Sequence, residues 1–206
     1  MSGHGENAGP IGVNFMAELV GLDARRWPGL AKGSPYGIIV FERVEIRTEK
    51  TARALMDPFL LAAIEEAKLS LTEGGIPIGA VIVYQGRIIG RGHNRRVQQG
   101  SAILHGEMAA LENAGRQPAS VYHESVLYTT LSPCAMCSGA ILLYGIPKIV
   151  VGENRTFMGE EELLRSRGVQ VDVLQDARCV ALMSSFIASR PELWNEDIGV
   201  VADYHL

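Results

Sequence analysis

From residue 126 onward, strand-forming and helix-forming segments alternate along the chain, which constrains the fold more than any other feature. Short runs rich in Val and Ile predict strands, and longer runs with helical spacing predict helices. The predicted strands are 126–130, 148–152 and 169–174, and the predicted helices are 134–144, 160–167 and 177–189. This order indicates parallel strands joined by crossover helices.

The segment before residue 126 predicts two more helices and a hairpin. Asp57 is a candidate N-cap followed by Pro58, and Gln85-Gly86 is a candidate two-residue turn. The predicted elements are a helix over 60–71, strands over 80–84 and 87–91, and a helix over 105–114. We therefore expect an α/β fold, a three-layer α/β/α sandwich around a mixed sheet of about five strands.

The first 55 residues differ from the rest of the chain in composition and in hydrophobic periodicity. They begin with a Gly- and Pro-rich stretch and show no sustained period. This predicts a loosely ordered N-terminal extension over residues 1–55, with a short docked strand over 38–44 as the alternative. Residues 56–206 are expected to form one folded domain.

Charge and cysteine content limit the partners and the compartment. The net charge is −4, and the densest basic segment, 91–96, holds few arginines, which favours a small-molecule substrate over a nucleic acid. Three cysteines, two of them in one C-x-x-C, indicate a reducing compartment. No secretory signal is visible, and no apolar run approaches the roughly 20 residues that span a bilayer. We expect a cytoplasmic protein without membrane association, with access to the nucleus left open.

Two motifs carry the chemistry: His105-Gly-Glu107 and Pro133-Cys134-Ala-Met-Cys137. A catalytic zinc site takes three protein ligands and keeps a fourth position for water, and one imidazole with two thiolates fits that requirement. The order His-x-Glu, then Pro-Cys-x-x-Cys, is typical of zinc-dependent nucleobase deaminases. The motifs therefore predict one zinc ion per subunit, with a water-activating carboxylate beside it.

Both motifs are expected at helix starts. Ser132 as N-cap and Pro133 in the first helical position would place the two cysteines on one face near the positive end of a helix, where thiolates are favoured. Because two thiolates cancel the charge of zinc, Glu107 is needed to take the proton of the bound water. Alternatives are a redox C-x-x-C, or a closed site completed by Cys179, which is otherwise a buried core cysteine.

Several segments between residues 56 and 199 resemble the yeast-type cytosine deaminases of the cytidine-deaminase-like superfamily. They are GGIPIG at 74–79, GRGHN at 90–94, GSAILHGE at 100–107, LYTTLSPC at 127–134, GAILLYGIP at 139–147, VVGEN at 150–154 and RPELWNEDIG at 190–199. The residues before 56 have no counterpart in that family, so Met56 is a possible alternative start and 56–206 the zinc-dependent deaminase domain.

The resemblance implies a set of site residues. Zinc would be bound by His105, Cys134 and Cys137, with Glu107 as the proton shuttle. The implied substrate-binding residues are Asn94 and Asp197 on the edge of the base, Phe157 and Trp194 around its ring, and Ile78 and Gly106 in the pocket wall. The alternatives are a turn role for Asn94, plain packing for the two aromatic residues and a solvated charge for Asp197.

The resemblance implies hydrolytic deamination of cytosine to uracil and ammonia, a step of pyrimidine salvage. Guanine, creatinine and tRNA adenosine remain as alternative substrates, and a zinc-stabilised interaction module as a non-enzymatic alternative. Helix 134–144 is apolar nearly all round, which predicts burial on every side, part of it against a second subunit. We therefore expect a homodimer, as the resemblance also implies.

Overall fold

The computed structural model describes residues 57–201. The strands are β1 Gly79–Tyr84, β2 Arg87–His93, β3 Ser125–Leu131, β4 Lys148–Glu153 and β5 Gln170–Val173. The helices are α1 Pro58–Thr72, α2 Arg96–Gln99, α3 Gly106–Ala114, α4 Ala119–His123, α5 Ala135–Tyr144, α6 Glu161–Ser166, α7 Ala177–Ser189 and α8 Pro191–Asp197. The predicted extension over 1–55, with its possible strand, lies outside the described residues.

Within residues 57–201, the strands form one mixed sheet in the order β2-β1-β3-β4-β5. Strand β1 pairs antiparallel with both β2 and β3. Strands β3, β4 and β5 run parallel to one another. The parallel pairing predicted from the alternation after residue 126 is therefore confirmed, as is the mixed five-stranded sheet.

Strand β1 shows how helices cover both faces of the sheet. Val81 and Val83 pack with Ala62 and Ala63 of α1 on one face. Alternate residues of the same strand join the larger core cluster on the other face, where α3 contributes Ala110. Successive side chains of a strand point to opposite faces, so the two helices lie on opposite sides. The three-layer sandwich predicted from the sequence is confirmed.

The predicted N-cap of α1 and the predicted two-residue turn of the hairpin are also confirmed. Asp57 caps α1, its side chain accepting hydrogen bonds from the backbone N–H groups of Phe59 (3.0 Å) and Leu60 (3.3 Å). In the turn between β1 and β2, Gln85 has φ 48° and Gly86 has φ 74°. Two positive φ values in a two-residue turn match the right-handed twist of the strands that it joins.

The predicted start of α5 was wrong by two residues. Helix α5 begins at Ala135 and its N-cap is Cys134, not Ser132. The Ser132 hydroxyl donates to Glu161 Oε1 (2.9 Å) and accepts the N–H of Gly159 (3.1 Å), so its hydrogen-bonding capacity is used outside the helix. The cysteines nevertheless lie at the first turn, as expected.

Within one chain, helix α5 is not buried on every side, although its apolar sequence predicts such burial. Cys137 and Ile141 are fully buried, whereas Leu143 is 78% exposed and Tyr144 is 43% exposed. The apolar exposed side is continuous, because Ala135, Gly139 and Leu143 are spaced by four residues. In the described part of the chain, no helix combines the length and apolar character needed to cross a bilayer.

Candidate active site

Three candidate ligands meet where α3 and α5 begin. His105 is the N-cap of α3, Cys134 is the N-cap of α5, and Cys137 lies in the first turn of α5. The Nδ1 atom of His105 lies 3.4 Å from the Cys134 sulfur and 3.8 Å from the Cys137 sulfur. The donor atoms all lie within 4.8 Å of one another. We call these three residues the metal cluster.

A glycine allows α3 to begin close to β1. A Cβ atom at Gly106 would lie 3.1 Å from the backbone oxygen of Ile78, which is tighter than nearly all real contacts of that kind. A side chain at this position would therefore require a shift of a few tenths of an ångström between the start of α3 and the backbone of Ile78. Gly106 thus lies against the Ile78 backbone next to His105; the role of both residues in the pocket wall stays a prediction.

Glu107 is buried beside the metal cluster. Its carboxylate accepts a hydrogen bond from the Thr129 hydroxyl (2.9 Å to Oε1), and its Oε2 lies 3.3 Å from the Cys137 sulfur. Burial raises the pKa of Glu107, and the nearby His105 partly opposes this effect. A carboxyl whose pKa is raised in a closed site is suited to accepting and returning a proton.

The two thiols of the metal cluster differ in their pKa. The hydrogen bond with Cys137, followed by that with His105, lowers the pKa of Cys134 to about 4. The pKa of Cys137 is raised well above its usual value, first by its hydrogen bond with Cys134 and then by burial. Burial lowers the pKa of His105, but the hydrogen bond with Cys134 and the charge of Asp197 outweigh it and raise the net value.

The donor set fits zinc. One imidazole nitrogen and two sulfurs are the ligands that zinc accepts in tetrahedral sites, and three protein ligands leave one position open. The closed four-ligand alternative fails, because Cys179 packs with Leu60 and Ile64 in a separate buried cluster. Burial raises the pKa of the Cys179 thiol to about 12, which disfavours the thiolate that a metal would need.

Asn94 and Asp197 form a buried pair next to the metal cluster. The Asn94 side-chain amide donates to both carboxylate oxygens of Asp197, at 3.2 and 3.1 Å. The Asp197 side chain is only 2% exposed, so the alternative of a solvated charge is wrong. Oδ1 of Asp197 lies 3.7 Å from Nε2 of His105, the ring nitrogen that faces away from the thiols.

The turn interpretation of Asn94 is correct in part. Its side-chain oxygen accepts the backbone N–H of Arg96 (3.0 Å), which closes a local turn after β2. Its amide nitrogen, however, reaches α8, 103 residues further along the chain. Asn94 therefore shapes the turn and also contacts Asp197.

Phe157 and Trp194 form an apolar wall that also includes Ile78. Their ring centroids lie 5.7 Å apart with the planes at 87°, an edge-to-face contact. Both rings and Ile78 belong to one apolar cluster, which also contains Leu131 of β3. The structure thus places these predicted pocket residues in one group that α8 helps to build.

Comparison with known proteins identifies the family. Residues 55–153 match the family model described as the cytidine and deoxycytidylate deaminase zinc-binding region. A protein named cytosine deaminase from Candida albicans (strain SC5314 / ATCC MYA-2876) is 55% identical over 141 residues, which are 68% of this chain and 94% of that protein. The chain belongs to the cytidine and deoxycytidylate deaminase family.

Other family members and a solved structure agree with this assignment. A tRNA-specific adenosine deaminase of Streptococcus pyogenes serotype M18 (strain MGAS8232) is 40% identical over 138 residues, covering 62% of this chain and 87% of that protein. A solved structure from a study of A-to-I editing by tRNA:A34 deaminases is similar with a TM-score of 0.50 and 27% identity, over 60% of this chain and 97% of the other. The predicted zinc-binding deaminase superfamily and its fold are confirmed.

Two residues of this deaminase site were not recognised in the sequence. Thr129 lies in a run of strand residues and looks like an ordinary strand threonine, yet its hydroxyl bonds Glu107. Arg96 follows Asn94 by two positions, and its guanidinium donates to Asp197 Oδ1 at 2.8 Å. No local pattern indicates these contacts, because both partners are distant in sequence.

Proposed function

We propose that this deaminase hydrolyses cytosine to uracil and ammonia. The observation that carries the proposal is the contact between His105 Nε2 and Asp197 Oδ1, which brings the Asn94–Asp197 pair beside the metal cluster. A water-activating site and a polar group that can read the edge of a base then lie within one substrate's length. The Candida albicans relative, named cytosine deaminase, supports the choice of substrate.

The metal cluster and Glu107 account for the reaction type. Zinc held by His105, Cys134 and Cys137 would supply a water of lowered pKa for attack on the carbon that bears the amino group. Glu107 takes a proton from that water, gives it to the ring nitrogen, and transfers the second proton to the departing amine. Water and cytosine thus give uracil and ammonia, with cleavage of one C–N bond.

The Asn94–Asp197 pair and the aromatic wall account for recognition of the base. An ionised carboxylate only accepts hydrogen bonds, whereas a side-chain amide both donates and accepts. Together they suit a pyrimidine edge that presents an N–H group beside a carbonyl oxygen. Phe157 and Trp194, with Ile78, give the flat ring apolar surfaces on which to lie.

Deamination of adenosine in tRNA is the alternative with a specific observation behind it, the 40% identical relative of that name. Two features weigh against it: the net charge of −4 and the α8 segment, whose Trp194 and Asp197 side chains are buried at the site. A polynucleotide needs an open, basic approach to its backbone. Guanine and creatinine remain substrates to be tested beside cytosine.

We further propose that the chain is a cytoplasmic homodimer, paired through the exposed side of α5. Leu143 and Tyr144 would be covered by the same residues of a second copy, as an isologous interface requires. Light scattering at micromolar concentration should give the mass of a dimer. Leu143→Glu should give a monomer, whereas Leu69→Glu, at an exposed leucine of α1, should remain dimeric; a monomeric mass for the unaltered protein would contradict the proposal.

The proposed activity is tested by measuring ammonia and uracil formed from cytosine. Protein purified with zinc should release both in equal amounts. Removal of zinc by a chelator should abolish the release, and zinc added back should restore it. Absence of ammonia from cytosine with zinc bound would reject the proposed substrate but not the deaminase family.

A further inference from the structure

Arg96 connects the two residues proposed to read the edge of the base, and it was not among the residues predicted from sequence. Its backbone N–H donates to Asn94 Oδ1 at 3.0 Å. Its Nη1 atom donates to Asp197 Oδ1 at 2.8 Å and to the backbone oxygen of Asp197 at 3.2 Å. One residue thus contacts Asn94 on one side and both the side chain and the main chain of Asp197 on the other.

The guanidinium is itself held in place. Its Nε donates to the backbone oxygen of Ser101 at 3.3 Å, so the side chain is fixed between the α2 segment and α8. The Arg96 side chain is 22% exposed, while the Asp197 carboxylate that it contacts is 2% exposed. Removal of the arginine would leave a buried carboxylate with fewer hydrogen-bond donors.

Asp197 depends on these contacts for its direction. It lies on α8, a helix of seven residues near the end of the described chain, and its Oδ1 must point towards His105. The Asn94 amide donates to both carboxylate oxygens at similar distances, which does not select one orientation strongly. The shorter, charge-assisted contact from Arg96 falls on Oδ1 alone and selects it.

We propose that Arg96 is a positioning residue that holds the Asp197 carboxylate with its Oδ1 aimed at the substrate position beside the metal cluster. Arg96 touches neither the metal cluster nor the reacting atoms. It acts through Asp197 and, by its backbone, through Asn94. This inference rests on the proposed function, which assigns Asp197 to the edge of the base.

A cavity beside Arg96 and Asp197 makes the proposal testable by chemical rescue. It has a volume of about 280 Å³ and its lining includes Arg96, Ser101, Glu196 and Asp197. Truncation of Arg96 to alanine would enlarge this cavity where the guanidinium now contacts Asp197. A free guanidinium ion could then enter and donate to the same oxygen.

The experiment compares Arg96→Ala with a matched control. Arg178→Ala removes another arginine that pairs with a buried aspartate, through contacts of 2.9 and 2.6 Å to Asp176, which caps α7. Arg96→Ala should lower kcat/KM for cytosine about 100-fold, the loss typical of a misplaced site group, and should retain zinc. Arg178→Ala should keep the kcat/KM of the unaltered protein.

Rescue distinguishes positioning from a general structural role. Guanidinium chloride at tens of millimolar should raise the kcat/KM of Arg96→Ala about 10-fold, because the ion supplies a charge-assisted hydrogen bond in place of the one removed. Sodium chloride at the same concentration should not, and Arg178→Ala should not respond. Arg96→Lys should be intermediate, since an ammonium is a point charge rather than a planar fork.

Crystal structures give a readout that does not depend on activity. In Arg96→Ala, the Asp197 carboxylate should turn away from His105, and soaked guanidinium should return it. Unchanged kcat/KM in Arg96→Ala, an equal loss in Arg178→Ala, a loss that neither guanidinium nor lysine restores, or an unmoved carboxylate would overturn the proposal. Inactivity of the unaltered protein on cytosine would instead reject the proposed substrate, with the crystal structures still deciding the role of Arg96.

Discussion

The site consists of two halves that the chain assembles in different ways. The metal half, His105, Glu107, Cys134 and Cys137, comes from two short motifs at the starts of α3 and α5. The base half, Asn94, Phe157, Trp194 and Asp197, comes from separate segments, and its central hydrogen bond joins residues 103 positions apart. Each metal motif places its donors at the start of one helix, whereas the proposed substrate contacts depend on the tertiary packing of α8.

If this division is correct, the largest effect follows from removing a ligand. Cys137→Ala should lose the zinc, measured by elemental analysis of the purified protein, and with it all detectable ammonia release, because three protein ligands hold the ion. Cys179→Ala is the matched control, since Cys179 is also a buried cysteine but packs elsewhere. Zinc retained at full occupancy in Cys137→Ala would break the assignment of the metal half.

The next effect separates metal binding from proton transfer within the metal half. Glu107→Gln keeps the size of the side chain but cannot carry a proton, so kcat should fall roughly 10⁴-fold while zinc content stays unchanged. Glu112→Gln, at an exposed position of the same helix, should have no effect. Appreciable turnover by Glu107→Gln would remove Glu107 from the mechanism.

A smaller loss is expected in the base half. Asp197→Asn removes the ionised acceptor and its pairing with Arg96, so kcat/KM for cytosine should fall roughly 100-fold, with zinc retained. Glu192→Gln, exposed on the same helix, serves as the control. Loss of zinc in Asp197→Asn would show that the two halves are not separable in the way described.

The smallest effect concerns a support of Glu107. Thr129→Val preserves shape but removes the hydroxyl that donates to Oε1, which should lower kcat roughly 10-fold with little change in KM. Thr130→Val is the neighbouring control, because the Thr130 hydroxyl accepts the N–H of Gly79 instead. Thr130→Val should lower the melting temperature, measured by calorimetry, and leave kcat unchanged. An equal loss of kcat in both variants would contradict a specific role for Thr129.

The sequence predicted the metal half from its own residues because the information is local. Within each motif, the ligand spacing, the helix that follows and the chemistry of the donors lie within a few positions of one another, although the two motifs themselves lie 29 positions apart. Even there, the cap of α5 was misassigned, since the Ser132 hydroxyl bonds Glu161, which is distant in sequence. A cap preference is a local signal, and a buried partner from another element overrode it.

The base half could be predicted only through resemblance to a family. Nothing in the spacing of Asn94 and Asp197 indicates that they meet, because the meeting depends on how α8 packs on the rest of the fold. For the same reason Arg96 and Thr129 were missed, although in the structure each contacts a recognised residue. The parallel pairing of β3, β4 and β5 could be predicted from the sequence, since alternation of strands and helices indicates it by itself.

The most direct test of the whole account is a comparison of substrates in one ammonia-release assay. Zinc-loaded protein is assayed with cytosine, guanine, creatinine and tRNA, and kcat/KM is determined for each. The account predicts the highest kcat/KM for cytosine, because the Asn94–Asp197 pair and the aromatic wall suit a free pyrimidine. A higher kcat/KM for guanine or for tRNA would contradict the proposed role of the base half while leaving the metal half intact.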